Sequence, residues 1–68
     1  DDRIVEFKYF KAKEAEHMLA LNDPRPEDVA QVRAYAKDTK LKFPIYNVRS
    51  YIVYICANKG WKCWEVTE

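Results

Sequence analysis

The chain has 68 residues, with 12 Lys and Arg against 11 Asp and Glu, one histidine, one glycine and two cysteines. That length holds a single domain, residues 1–68. A formal charge of +1 gives no bulk reason to expect a nucleic acid or an anionic membrane as partner, and no apolar run is long enough to cross a bilayer.

Starting at Asp1, the sequence reads as a processed segment without a signal peptide. A core this small is marginal, with roughly 3–5 kcal/mol of net stability typical. Cys56 and Cys63 are therefore a candidate staple, and a bridge between them would imply an oxidising or extracellular setting. Otherwise the compartment is open.

Arg3–Phe10 alternates, with Val5, Phe7 and Tyr9 on one face and Ile4, Glu6 and Lys8 on the other, and its β-branched and aromatic content predicts a strand. "KAKEAEHMLALND" is rich in helix formers, with Ala12, Ala15, Met18 and Leu19 at helical spacing. In "NDPRPEDV", Asn22 ends the first helix. Either Asp23 caps the second, with Pro24 in its first turn, or Pro26 is the first helical residue.

The second helix carries Val29, Val32 and Ala36 as a stripe flanked by Tyr35, and Phe43-Pro44 breaks it. A long strand follows from Ile45 to Ala57, then a turn at Asn58-Lys59-Gly60 and a last strand from Trp61. The order β-α-α-β-β predicts an α+β two-layer sandwich, a mostly antiparallel three-stranded sheet with both helices on one face.

Two registers compete in the hairpin. A two-residue turn at Lys59-Gly60 sets Cys56 opposite Cys63 and gives the core Val53, Ile55, Trp64 and Val66. A three-residue turn at Asn58-Lys59-Gly60 shifts the pairing by one. Burial and the prospect of a crosslink favour the first register, turn chemistry the second. Under the first, Ile4, Ile52, Tyr54 and Trp61 form an apolar patch on the face away from the helices, the kind of surface that marks a protein partner. The plain alternative is that these aromatics only stabilise the sheet.

Catalytic constellations are hard to find. His17 lies on a charged helix segment, Ser50 has no triad partners, and two cysteines with one distant histidine are too few for a zinc site. The acidic pairs Asp1/Asp2 and Glu27/Asp28 read as a chain terminus and a helix start. No enzyme activity, cofactor or metal is expected.

Two resemblances bear on function. The β-α-α-β-β order is similar to the opening elements of a type I KH domain, which would imply binding of single-stranded nucleic acid. That family's Gly-x-x-Gly loop, however, is replaced here by Asp23-Pro24-Arg25-Pro26 and its C-terminal helix is lacking. The helix "KAKEAEHMLAL", the connection "NDPRPEDV" and the strand "VRSYIVYI" look like those of computationally designed mini-proteins.

The leading expectation is an engineered protein-binding module, monomeric when free, that presents Ile4, Ile52, Tyr54 and Trp61 on a hairpin stapled by Cys56 and Cys63. Nucleic acid and membrane are not expected as partners. The alternatives are a folding-test scaffold without a partner and a small KH-like nucleic-acid binder.

Overall fold

β1 (Asp2–Phe10) leads into α1 (Ala12–Leu19) and α2 (Pro26–Lys42), followed by β2 (Val48–Cys56) and β3 (Gly60–Val66). The computed structural model describes residues 2–44 and 47–67, Asp2 by its backbone alone. The expected strand start at Ile45 and Tyr46, and Asp1 of the terminal acidic pair, lie outside the described residues.

The sheet order is β1-β2-β3, with β1 parallel to β2 and β2 antiparallel to β3. It is therefore mixed, and it is the α+β arrangement expected from the element order. Two consecutive helices carry the chain back to its starting end, so β2 runs alongside β1 in the same direction. Pro26 takes the first helical position of α2, where its missing N–H costs nothing, and Arg25 is the residue before it.

Register decides what faces the helices. β2 pairs Cys56 with Gly60, Tyr54 with Lys62, Ile52 with Trp64 and Ser50 with Val66. The turn is Ala57-Asn58-Lys59, closed by the Lys59 N–H donating to the Cys56 carbonyl at 3.1 Å. Asn58 has φ 58° and Gly60 φ 129°, so the two residue types that best tolerate positive φ occupy the two positions that need it. Local turn chemistry thus prevails over the apolar parity that favoured a two-residue turn at Lys59-Gly60. The loop also sits one residue earlier than Asn58-Lys59-Gly60.

The consequence is a core built from the even-numbered residues of all three strands. Phe10, Ile52, Tyr54 and Cys56 are buried with Ala15 and Val32 of the helices, and Met18, Leu19, Val29, Trp64 and Val66 pack around them. Val5, Phe7, Tyr9 and Trp61 point to the uncovered face and are exposed. The expected core members Val53 and Ile55 are only half-buried, and Trp64 and Val66 alone keep their expected side. Phe10 and Trp64 both meet the Tyr54 ring edge-on, with centroids 4.9 and 5.0 Å away.

The same parity separates the cysteines. Cys56 lies buried among the core residues, while Cys63 lies opposite Val53 on the other face and is exposed. Both are free thiols, and the expected staple is corrected: a disulfide cannot reach through a sheet.

Candidate functional site

Two groups of charged side chains lie on the helix-covered side of the sheet. The first is on β1. Glu6 and Lys8 are two residues apart in a strand, so both point the same way, and the Lys8 Nζ lies 3.5 Å from a Glu6 carboxylate oxygen. Their paired residues on β2 are Ile52 and Tyr54, both fully buried. The pair itself stays open to solvent, with the side chains of Lys8 and Glu6 30% and 23% exposed. A carboxylate and an ammonium held over a rigid apolar floor, yet reachable from outside, can meet a ligand without local unfolding.

The second group centres on a buried carboxylate, Asp28. The Arg25 guanidinium forks onto Asp28, with Nε 2.9 Å from one carboxylate oxygen and Nη2 3.3 Å from the other. The Tyr54 hydroxyl donates to Asp28 and accepts the backbone N–H of Arg25 at 2.9 Å. The same guanidinium stacks 5.1 Å from the centroid of the Phe10 ring. Burial alone would push the Asp28 carboxyl up. The hydrogen bonds from Arg25 and Tyr54, with the Arg25 and Lys8 charges, outweigh it and hold the group below its usual range. Burial raises the Tyr54 hydroxyl and its bond to Asp28 raises it further; pairing with Asp28 raises Arg25. Asp28 is thus not the solvated helix-start acid its position suggested, but the anchor of α2 on the sheet.

The geometry of α2 also sets which flank meets β1. Asp28 reaches Tyr54 near the end of β2, and Lys40 lines a hollow with Val48 and Ser50 at its start, so α2 runs antiparallel to β1 and β2. Arg33 Nη2 donates to the Thr67 carbonyl just beyond β3 at 3.1 Å. Gln31, two residues earlier, lies about 200° around the helix from Arg33 and so on the β1 flank. Its Nε2 donates to the Tyr35 hydroxyl, one turn along the same helix, at 3.3 Å.

The four residues expected to form one apolar surface do not share a face. Ile52 and Tyr54 have no exposed surface, and Ile4 is half-buried on the helix side. Trp61, 68% exposed, is alone on the other side. The correction follows from register: with Cys56 opposite Gly60, even-numbered residues of β2 go inward. Sequence reasoning passed over Glu6 and Lys8 as the polar face of a strand, and Arg25 and Asp28 as a connection and a helix start. The signal for the first pair was available, as two opposite charges at strand spacing. The second had none, because Arg25 and Asp28 lie far from Tyr54 in sequence.

A family model described as the PD-(D/E)XK nuclease superfamily matches residues 1–65, and the chain belongs to that superfamily. No curated protein and no solved structure matches it. The membership overturns three expectations: an engineered protein-binding module, the absence of enzyme activity, and the exclusion of nucleic acid as a partner. The name of the superfamily spells Asp or Glu, any residue, then Lys. Two segments satisfy it, Glu6-Phe7-Lys8 and Asp38-Thr39-Lys40.

Secondary structure separates these two segments. In β1, residues two apart share a face, whereas in α2 they diverge by about 200°. Asp38 pairs instead with Lys42 at 3.1 Å, both well exposed. Only Glu6 and Lys8 act on one point.

Proposed function

We propose that the chain works in the hydrolysis of phosphodiester bonds in nucleic acid, with Glu6 and Lys8 as its reactive pair. The observation that carries this reading is the Glu6-Phe7-Lys8 segment. It fits the superfamily's signature in a strand that turns both charged groups to one half-open site. A phosphoryl group under attack gathers negative charge on its non-bridging oxygens. The Lys8 ammonium is a mobile point charge that can offset it. The Glu6 carboxylate can accept a hydrogen bond from an attacking water and orient it toward phosphorus. The apolar floor of Ile52 and the committed Tyr54 leave these two groups as the chemistry of the site.

Many nucleases also use divalent ions held by several carboxylates. Among the described residues no three His, Cys, Asp or Glu side chains come together as such a group, and Asp28 is already engaged by Arg25 and Tyr54. The described residues therefore do not by themselves fit a multi-ligand metal centre.

The test is cleavage of a fluorophore- and quencher-labelled oligonucleotide. Glu6→Gln and Lys8→Ala are each expected to lower the rate by about 10²-fold or more. Asp38→Asn, in the helical copy of the signature, is expected to leave it unchanged. Loss in Asp38→Asn with retention in Glu6→Gln would move the site to the helix and end this reading.

A further inference from the structure

We propose a second nucleic-acid contact, a groove on the outer flank of α2 that binds the phosphodiester backbone away from the reactive pair. The choice of ligand rests on the nuclease reading above. The groove itself rests on independent geometry.

Arg33, Lys37, Lys40 and Leu41 line a hollow of about 510 Å³. The spacings of four, three and one residues gather all four side chains within a sector of roughly 100° around the helix. Three cations thus share one face, with Leu41, 75% exposed, as an apolar contact at its edge. No carboxylate belongs to the described lining. Asp38, the nearest acid along the helix, points elsewhere and is paired with Lys42. Lys40 also lines a neighbouring hollow of about 320 Å³ with Arg49, Ser50 and Glu65 among its walls. The cationic surface therefore continues from the helix onto the start of β2, with Glu65 as the one acid beside it.

The arrangement suits a linear polyanion. Arg33 is oriented by its bond to the Thr67 carbonyl, which leaves its other N–H groups for a phosphate. Arg33 and Lys37 carry like charges on one helix face, and counterions gather over them. A nucleic-acid strand would release those counterions, which makes the contact favourable and salt-sensitive. At about 1.5 Å rise per residue, Lys37 and Lys40 lie roughly 14–18 Å along α2 from Asp28. That is about four to five steps of a stacked strand at 3.4 Å each. Because the groove lies on the Arg33 flank and Glu6 and Lys8 lie on β1, a strand held at both must also cross α2 and so spans more than those steps.

The test is fluorescence anisotropy of a fluorescein-labelled oligonucleotide of about 20 nucleotides, single-stranded in one arm and duplex in the other. The oligonucleotide carries phosphorothioate linkages so that binding is read without hydrolysis. The triple variant Arg33→Ala, Lys37→Ala, Lys40→Ala is expected to weaken binding about ten-fold at low salt. It should also flatten the slope of log K against log salt by two to three. The control removes three charges elsewhere, Lys11→Ala, Lys13→Ala, Lys59→Ala, and is expected to change little. Lys37→Glu alone should show the same direction in a minimally altered fold. Equal losses in the two triple variants, or no binding by the wild type in either arm, would overturn the groove. A wild type that binds through the groove but cleaves nothing would instead sink the nuclease reading and leave this one standing.

Discussion

Glu6 with Lys8 and Asp28 with Arg25 are each one carboxylate beside one cation on the same side of the sheet, and they are built in opposite ways. Every oxygen of Asp28 is engaged, by a two-point guanidinium and a tyrosine hydroxyl, and its carboxylate is buried although the Arg25 side chain stays 32% exposed. The Glu6–Lys8 contact is single, longer and open to solvent. A fully satisfied buried pair fixes geometry, but it has no valence left for a ligand. A half-open pair adds little stability, because solvent screens it, and its hydrogen-bonding capacity remains available. The difference separates the group that holds α2 in place from the group able to do chemistry.

Exchanging the two losses breaks the comparison most directly. Glu6→Gln is expected to reduce oligonucleotide cleavage by about 10²-fold or more while Tm stays within a few degrees of wild type. Asp28→Ala is expected to do the reverse in stability. It leaves Arg25 and Tyr54 without their shared acceptor and costs about 3 kcal/mol. In a domain of this size that is a fall in Tm on the order of 15 °C. A large Tm loss in Glu6→Gln, with none in Asp28→Ala, would invert the assignment of roles.

Tyr54→Phe sharpens the picture within the buried group. The ring contacts with Phe10 and Trp64 survive, and only the hydroxyl between Asp28 and the Arg25 N–H is lost. The expected cost is about 1–2 kcal/mol by thermal or urea unfolding, well short of Asp28→Ala. A cost equal to that of Asp28→Ala would mean that the hydroxyl, not the guanidinium, carries the site.

The acid limb of stability follows from the same residues. Asp28 has a folded-state pKa below its usual 3.8, so its contribution is fully present above that value. It is lost as pH falls through the lower folded-state value. Tyr54 is shifted upward from 10.0, so its contribution is present below that pH and lost above it. Urea midpoints between pH 2 and 5 should fall for the wild type and vary less in Asp28→Asn. Parallel curves for the two proteins would show that another carboxylate governs the acid transition.

The element order and the α+β class were legible in the sequence because each rests on local patterns, while the start of α2 at Pro26 was one of two that the pattern left open. The faces of the strands were not. Val5, Phe7 and Tyr9 make a better apolar row than Ile4, Glu6 and Lys8, and nothing local to β1 says that the better row stays uncovered. That choice is made in the hairpin, where Asn58 and Gly60 set a register that turns Tyr54 inward toward Asp28. The site followed the faces. With β1 reversed, Glu6 and Lys8 become charged groups on the helix side of the sheet rather than its solvated face.

The thiols give the smallest effect and the cleanest check on that register. Cys56 is buried beside Phe10 and Tyr54, whereas Cys63 is exposed beyond the opposite face. An aromatic disulfide reagent should therefore modify Cys63 within minutes and Cys56 only at the rate of unfolding, two thiols in total after denaturation. Adding reductant should leave Tm unchanged, since no crosslink exists to break. A reductant-sensitive Tm, or two thiols lost together on air oxidation, would demand that Cys56 and Cys63 share a face. The odd-numbered residues of one strand would then swap sides, and with them the floor beneath Glu6 and Lys8 would no longer be Ile52 and Tyr54.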